Sequence, residues 1–183
     1  RNLRPPPYPK QAYCLDKAIA KGMRIFAIIK RKRQDTMKNQ MMSEHFSLKE
    51  FTDSATAEKF HINNTPDKYA LEGIRTLCHE VLEPLRKAFG PVFINSGYRC
   101  RELNRRLHGV GLSQHLVGEA ADLRIANEDI GRQYFDFLLT HCTFDQLLFE
   151  YSRFGRIWLH VSCKHLPAHN RRMAIRNMKT NQT

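Results

Sequence analysis

The sequence lacks the features that mark disulfide-stabilised and membrane-spanning proteins. Its five cysteines are an odd number, widely spaced and without a CxxC pair, which argues against a disulfide framework and a thiolate zinc knuckle. No apolar run approaches the roughly 20 residues that cross a bilayer. The one N-terminal apolar cluster, Met23 to Ile29, is short and broken by Arg24. We therefore expect mostly buried, reduced thiols, no stable membrane insertion, and synthesis in the cytoplasm without a recognisable signal peptide.

Acidic residues are scarce at both ends of the chain. The net charge is +12, of which residues 1–42 carry +9 and residues 171–183 carry +4, so residues 43–170 carry −1. Because the basic charge lies at the ends, it indicates no nucleic-acid groove on the folded part, and we predict no nucleic-acid partner. The alternative is that the two ends bind DNA, with a steep salt dependence that disappears when both are deleted.

These differences divide the chain into three segments. Residues 1–42 are predicted to be a basic N-terminal extension, disordered or non-native upstream sequence, since three methionines lie between positions 37 and 42. A basic amphipathic helix that binds a membrane surface or nucleic acid is the alternative. Residues 43–170 are long enough for one sizeable core, and residues 171–183 are expected to be a frayed basic tail. We expect a monomer.

The apolar periodicity of residues 43–170 alternates between helical and strand patterns. Thr65 and Pro66 predict the start of a long helix that is kinked at Pro84 and ends at Gly90. A second helix is predicted from about Asn127 to Cys142. The predicted strands are PVFINSGY, EAADLRI, DQLLFEYS and RIWLHVS, the last two forming a hairpin. This order indicates an α+β fold, a small antiparallel sheet with helices packed on one face.

Two histidines and one aspartate lie in contexts that suit metal ligands. His115 and Asp122 belong to the stretch SQHLVGEAAD, in a turn and in a buried strand, and His160 lies in the middle of IWLHVS. Two imidazoles and one carboxylate, with a fourth position open for water, form the layout of a catalytic zinc site. We predict one Zn²⁺ per chain. A lone strand histidine is more often a half-buried structural residue, so spacing alone leaves the two interpretations near even.

Hydrolysis at such a site also needs a general base, and Glu150 in the apolar context LLFEY is the best candidate. If the hairpin loop is Arg153 to Gly155, Glu150 lies opposite Trp158 and diagonally beside His160. A loop of two or four residues would place it on the other face. The alternative is a glutamate paired with an arginine at a sheet edge. Glu119, expected on the opposite strand face from Asp122, is a weaker candidate.

Three polar residues near these ligands are candidates for substrate binding. Arg99 follows a strand and could offer a bidentate fork to a substrate carboxylate. Ser113 and Gln114 precede His115 and could hydrogen-bond the substrate backbone. Taken singly, a loop arginine or a polar loop residue is usually solvated.

The stretch from SGYRC to ADLRI, together with FDQLLFEY and RIWLHVS, resembles the zinc D-alanyl-D-alanine carboxypeptidase family and its peptidoglycan-cleaving phage endolysin relatives. The similarity covers about residues 43–172 and rests on the pattern Ser-x-His-x-x-Gly-x-Ala-x-Asp followed by Trp-x-His. It implies a hedgehog-like α+β fold and zinc held by His115, Asp122 and His160. It also implies that Arg99 contacts the substrate, and that the bonds cleaved lie next to D-amino acids in stem peptides or cross-links.

The sequence departs from the family pattern at one position. Many relatives have an acidic catalytic residue three positions before the last histidine ligand, and this chain has Ile157 there. Either Glu150 takes the role from the neighbouring strand, or the base is absent. In the second case the chain would be a zinc-binding, non-hydrolytic recognition domain, as on the hedgehog branch of this fold. The expected partners are peptidoglycan peptides, and the expected place of action is the cell wall or periplasmic peptidoglycan.

Overall fold

The computed structural model describes residues 23–26, 28–29 and 39–180. The chain divides into two compact units, Arg1–Asn39 and Gln40–Thr183. Residues 23–26 and 28–29 of the first unit are helical with exposed side chains; the rest of the predicted N-terminal extension, up to residue 38, lies outside the described residues. Within the described part, no helix is both long and apolar enough to cross a membrane.

The second unit contains a mixture of helices and strands. Its α-helices are α1 Leu48–Thr52, α2 Ala55–Lys59, α3 Lys68–Leu77, α4 Glu83–Phe89, α5 Arg101–Arg106 and α6 Glu128–His141. Its strands are β1 Ile94–Ser96, β2 Ala120–Arg124, β3 Gln146–Ser152, β4 Ile157–Ser162 and β5 Met173–Thr180. The strands form one sheet of order β1-β2-β4-β3-β5. This architecture confirms the predicted α+β fold class.

The long predicted helix is present, but it starts later than Thr65. Asp67 is its N-cap, and the Asp67 carboxylate accepts a hydrogen bond from the Ala70 N–H at 2.8 Å. The Thr65 hydroxyl instead donates to the Asn63 side chain at 2.7 Å. Aspartate and threonine both cap helices well, so the choice between two caps two residues apart depends on the tertiary path of the chain.

Proline and glycine shape the second half of this helix as expected. Between α3 and α4 the helix widens into a π-helical turn, Cys78–Leu82, directly before Pro84. Pro84 has no N–H to donate to the carbonyl four residues back, so the regular hydrogen-bond pattern cannot continue through it. Gly90 ends α4 with a φ of 82°, a conformation that favours glycine.

The sheet is antiparallel except at one edge. β1 pairs with β2, β2 with β4 and β4 with β3 in antiparallel fashion, whereas β3 and β5 run parallel. The expectation that residues 171–183 form a frayed tail is therefore wrong for 173–180. The Met173 N–H donates to the Asp145 carbonyl at 2.9 Å, which places β5 in register beside β3. Backbone hydrogen bonds to β3 order this strand. Such bonds cannot be recognised from the side-chain pattern of a basic segment.

The hydrophobic core lies between the helices and one face of the sheet. α6 packs on β3, β4 and α4. Among the fully buried side chains are Phe46, Phe51, Ile74, Leu82, Leu123, Phe135 and Leu159. The other face of the sheet is the floor of a cleft, so the side chains that alternate away from the core are available for binding.

Replacing Asp145 by Asn is expected to lower the free energy of unfolding by about 1.5–3 kcal/mol at neutral pH, the usual contribution of hydrogen bonds to charged groups. Asp145 is fully buried and accepts hydrogen bonds from the backbone and guanidinium of Arg171. Burial by itself raises the pKa of Asp145, but these hydrogen bonds and the nearby charges of Arg171 and Lys164 outweigh it and leave the pKa below its ordinary value. The stabilisation is therefore complete above the unfolded pKa of about 3.9 and is lost as the pH falls through the folded one.

Urea denaturation of both proteins from neutral to acidic pH measures this difference. Asp136→Asn is the matched control, because the Asp136 side chain is 56% exposed in its ion pair with Arg176. That change should cost less than about 1 kcal/mol. Equal losses for the two variants, or a difference that persists at acidic pH, would contradict the role given to Asp145.

Candidate metal centre

Strand register and one tight turn bring the three predicted ligands together. Asp122 in β2 lies directly opposite His160 in β4, with both side chains on the cleft face. His115 lies in the 3₁₀ turn Gln114–Val117, which ends at Gly118 with a φ of 73°. A side chain at Gly118 would also collide with the backbone of Ala70, since a Cβ there would lie 2.2 Å from the Ala70 carbonyl oxygen. Glycine at this position therefore lets the turn pack on α3 and point His115 at β2.

The three side chains converge on one carboxylate oxygen. His115 Nε2 lies 3.3 Å from Asp122 Oδ1, and His160 Nδ1 lies 2.9 Å from the same oxygen. All three residues are less than 10% exposed, and one ligand atom from each lies within 4.8 Å of the others. Within the described residues this is the one cluster of three or more such groups that could hold a metal ion.

The protonation states of these side chains and the hydrogen bonds that orient them suit a zinc ion. His115 Nδ1 lies 2.6 Å from the Gly97 carbonyl oxygen; donation to that oxygen leaves Nε2 free as a ligand, the usual support of a metal-binding histidine. Burial lowers the pKa of His115 against the opposing charge of Asp122, which favours the neutral ring. Two imidazole nitrogens and one carboxylate oxygen form a donor set that Zn²⁺ prefers.

Asp122 is a carboxylate in spite of its burial. Burial by itself raises its pKa, but the electrostatic interaction with the nearby His115 and His160 side chains outweighs this and holds the pKa well below the ordinary range. Its second oxygen accepts a hydrogen bond from the Arg99 guanidinium at 2.6 Å. Arg99 is only 6% exposed and also donates to Ser96 Oγ at 2.9 Å. The structure thus places Arg99 against Asp122, a contact that the sequence did not predict.

Glu150 lies beside the cluster with its side chain on the cleft face. The hairpin loop is Arg153 to Gly155, since the Ser152 N–H donates to the Arg156 carbonyl at 2.8 Å. Glu150 therefore pairs with Trp158, diagonally beside His160. Burial raises the pKa of Glu150, and the charge of His160 partly opposes this. The Trp158 indole N–H donates to Glu150 Oε2 at 2.5 Å, which orients the carboxylate.

Two other positions, Ile157 and Glu119, are less suited to provide a general base. Ile157 touches the edge of the cleft, but it packs against the hydrophobic core on the strand face of Leu159, opposite to that of His160. Glu119 is buried just before β2, and its carboxylate accepts a hydrogen bond from the His165 N–H at 2.7 Å. Among the described residues, the carboxylates that line the cleft are Asp53, Asp122 and Glu150, and apart from the ligand Asp122, Glu150 is the one on a strand paired with that of His160.

Ser113 and Gln114 both line the cleft next to His115. The amide oxygen and nitrogen of Gln114 are buried and have no hydrogen-bond partner among the described residues. A buried amide without partners costs free energy.

Gly97 is a supporting residue that sequence reasoning missed. A Cβ at this position would lie 2.7 Å from Phe51 Cα, so glycine allows the chain to approach α1 and aim its carbonyl at His115. The available signal was a glycine directly after a strand, in NSGYR, where close backbone approaches are common.

These residues lie on the floor and walls of one cleft of about 1690 Å³. It extends in both directions from the histidines, past Ser54 and Asn95 on the β1 side and past Leu148 and Ile175 on the β5 side. This volume exceeds the range of roughly 300–1,000 Å³ typical of small-molecule pockets.

Comparison with known proteins gives one match. A family model described as Peptidase M15 matches residues 44–162, more than half of the chain and all of the predicted site. No curated protein matches the chain significantly.

Proposed function

The chain belongs to the peptidase M15 family, and from this premise we propose that it is a zinc-dependent peptidase that hydrolyses peptide bonds in peptidoglycan stem peptides or cross-links. The observation that carries the proposal is the convergence of His115, Asp122 and His160 within 4.8 Å beside a buried glutamate. The family is one of zinc peptidases, which agrees with this donor set. The action on peptidoglycan follows from the resemblance of the motifs and is tested below.

His115, Asp122 and His160 would hold the zinc ion. When bound, zinc supplies a Lewis acid that polarises a carbonyl group and lowers the pKa of water. The Arg99 guanidinium fixes the orientation of Asp122 through the 2.6 Å hydrogen bond. The Gly97 carbonyl fixes the orientation of the His115 ring by accepting the hydrogen bond from Nδ1. These contacts pre-organise the site, so little reorganisation is needed at the moment of reaction.

Glu150 would move the proton during hydrolysis. Its carboxylate accepts a proton from the attacking water, whose oxygen forms the new bond to the carbonyl carbon, and passes that proton to the nitrogen of the leaving amine as the C–N bond breaks. A general base works best when its pKa lies near the working pH, and burial shifts Glu150 in that direction. The Trp158 indole keeps the carboxylate aimed along the cleft face.

Arg99, Ser113 and Gln114 would orient the substrate peptide. Two of the five N–H groups of the Arg99 side chain are used by Asp122 and Ser96, which leaves donors for a substrate carbonyl or carboxylate. Ser113 and Gln114 line the cleft beside His115 and would contact the peptide there.

A second candidate function is a zinc-binding recognition domain without hydrolysis. The observation that favours it is Ile157 at the position where many relatives carry their acid. The recognition domain and the peptidase both predict zinc and muropeptide binding. They differ in whether Glu150 is needed and whether products form.

Removal of metal is expected to abolish activity reversibly. Chelator-treated protein should release no soluble peptide from purified peptidoglycan, and one equivalent of Zn²⁺ per chain should restore release, because the cluster offers three ligands for one ion. His115→Ala should bind no zinc by elemental analysis and stay inactive. His169→Ala is the control, because His169 is exposed and lies outside the cluster. Full activity of metal-free protein would rule out the proposed function.

A further inference from the structure

The cleft floor continues from the metal centre across two more strands. Strand pairing aligns Asp122 with His160, His160 with Leu148, and Leu148 with Ile175. These four residues form one row across β2, β4, β3 and β5, and all of them line the same cleft. The apolar half of the row is therefore continuous with the metal-binding half.

The outer part of this floor lies beyond the region that defines the family. The family match ends at residue 162, and β5 spans Met173–Thr180. β5 adds Met173 and Ile175 to the cleft lining. A row that begins with ligands in the family-matched region thus ends on a strand that the family pattern does not include.

The spacing of the row matches an extended peptide. Neighbouring strands lie about 4.8 Å apart, so Ile175 lies two strand spacings, or roughly 10 Å, from His160. An extended chain advances about 3.3 Å per residue. A peptide that crosses the strands from the metal centre would thus reach Ile175 with about the third residue from the scissile bond.

Apolar side chains form the middle of this arm of the cleft, and polar groups border it. Leu148 is 7% exposed and Ile175 is 39% exposed, and Met173 lies beside Gln146 in the next row. Gln146 pairs with Met173, Glu150 follows Leu148 by two residues along β3, and the cleft-lining Arg171 forms an ion pair with Asp145. The Leu148, Met173 and Ile175 side chains suit apolar substrate groups more than charged ones.

The opposite arm has its own lining, so a substrate can extend on both sides of the ligands. Ser54 and Thr56 of the α2 region and Asn95 of β1 line the cleft beyond Asp122. A carboxypeptidase needs room for one or two residues on the leaving side, whereas an endopeptidase needs surface for several on each side.

We propose that the Leu148–Met173–Ile175 surface of β3 and β5 is a subsite for the peptide chain on one side of the scissile bond, which makes the protein an endopeptidase for cross-linked stem peptides. This inference rests on the proposed function and specifies its substrate. Ile175 is a specificity-determining residue in this scheme. It binds the far part of a long substrate and takes no part in the chemistry.

The test compares a cross-linked muropeptide dimer with an uncross-linked monomer. The zinc-loaded protein should have a kcat/KM at least about 10-fold higher for the dimer. Ile175→Asp should remove that advantage by raising KM for the dimer with kcat unchanged, and should raise KM for the shorter monomer less. Ile175→Ala should act in the same direction and guards against disruption of β5 by the charge. Leu166→Asp is the matched control, because Leu166 is 57% exposed and does not line the cleft.

Binding separates failure of this inference from failure of the proposed function. Trp158 is the single tryptophan of the chain and lines the cleft, so its fluorescence reports occupancy in the Glu150→Gln background without turnover. Adding Ile175→Asp should weaken the dimer Kd about 10-fold and weaken the monomer Kd less. If the wild type hydrolyses neither substrate but this shift appears, the proposed peptidase activity fails and the subsite stands. If the wild type and Ile175→Asp both bind the dimer and the monomer with equal Kd, the subsite is wrong.

Discussion

Glu150→Gln is expected to lower kcat by about 10²- to 10⁴-fold, the usual contribution of a general base, with zinc binding unchanged. Glutamine has nearly the same shape and can still accept the hydrogen bond from Trp158, but it cannot take a proton from water. Glu150 is not among the three clustered ligands, so zinc content should stay at one per chain. Steady-state hydrolysis of muropeptides and elemental analysis of the same samples measure both quantities.

Glu119→Gln is the matched control for this change. Glu119 is also a buried carboxylate and lies in the stretch SQHLVGEAAD. Its oxygen accepts a hydrogen bond from the His165 backbone N–H, and an amide oxygen can do the same. We expect its kcat to stay within about 3-fold of wild type, because Glu119 does not line the cleft and glutamine keeps its hydrogen bond. Loss of turnover in Glu119→Gln with full turnover in Glu150→Gln would reverse the assignment.

Asp122→Ala is expected to lower the free energy of unfolding of the metal-free protein by about 3–5 kcal/mol, the range for breaking a buried ion pair. The variant leaves the Arg99 guanidinium, which is 6% exposed, without its carboxylate partner. Stability thus falls for a reason independent of zinc. Urea denaturation in the presence of a chelator measures the effect. Equal dependence of the free energy of unfolding on urea concentration shows that the two proteins have comparable unfolded states.

A double variant shows whether the buried charge is the cause. Replacing both partners, as Asp122→Leu with Arg99→Met, removes the charge as well as its counter-ion and should recover most of the loss. His115→Ala leaves the Arg99–Asp122 pair in place and should destabilise the metal-free protein less than Asp122→Ala. If the double variant is no more stable than Asp122→Ala, the loss comes from packing and not from the unpaired arginine.

Much of the site was predictable because it depends on strand alternation and a local motif. Alternation in β4 puts Trp158 and His160 on one face, and the motif places Asp122 on the strand beside them. Glu150 was predictable only conditionally, because its face depends on the length of a hairpin loop. Strand periodicity determines which residues share a face, but it does not determine the loop that sets the register between strands.

The remainder depends on contacts between segments far apart in sequence. The basic residues before and within β5 predict a tail, and the start of the strand is defined by hydrogen bonds from Arg171 and Met173 to Asp145, which is distant in sequence. Arg99 was assigned to the substrate alone because its pairing with Asp122 spans two strands of unknown order. The helix start at Asp67 in place of Thr65 is a smaller case of the same limitation.

Mass spectrometry of purified peptidoglycan digested by the zinc-loaded protein tests the central claim most directly. We predict new soluble fragments whose masses correspond to cleavage of a peptide bond in the stem peptides or cross-links, with one water added per cut. The fragments should be absent with chelated protein and with His115→Ala. Binding of zinc and muropeptides without any new fragment would contradict the peptidase and leave the recognition domain as the function of this site.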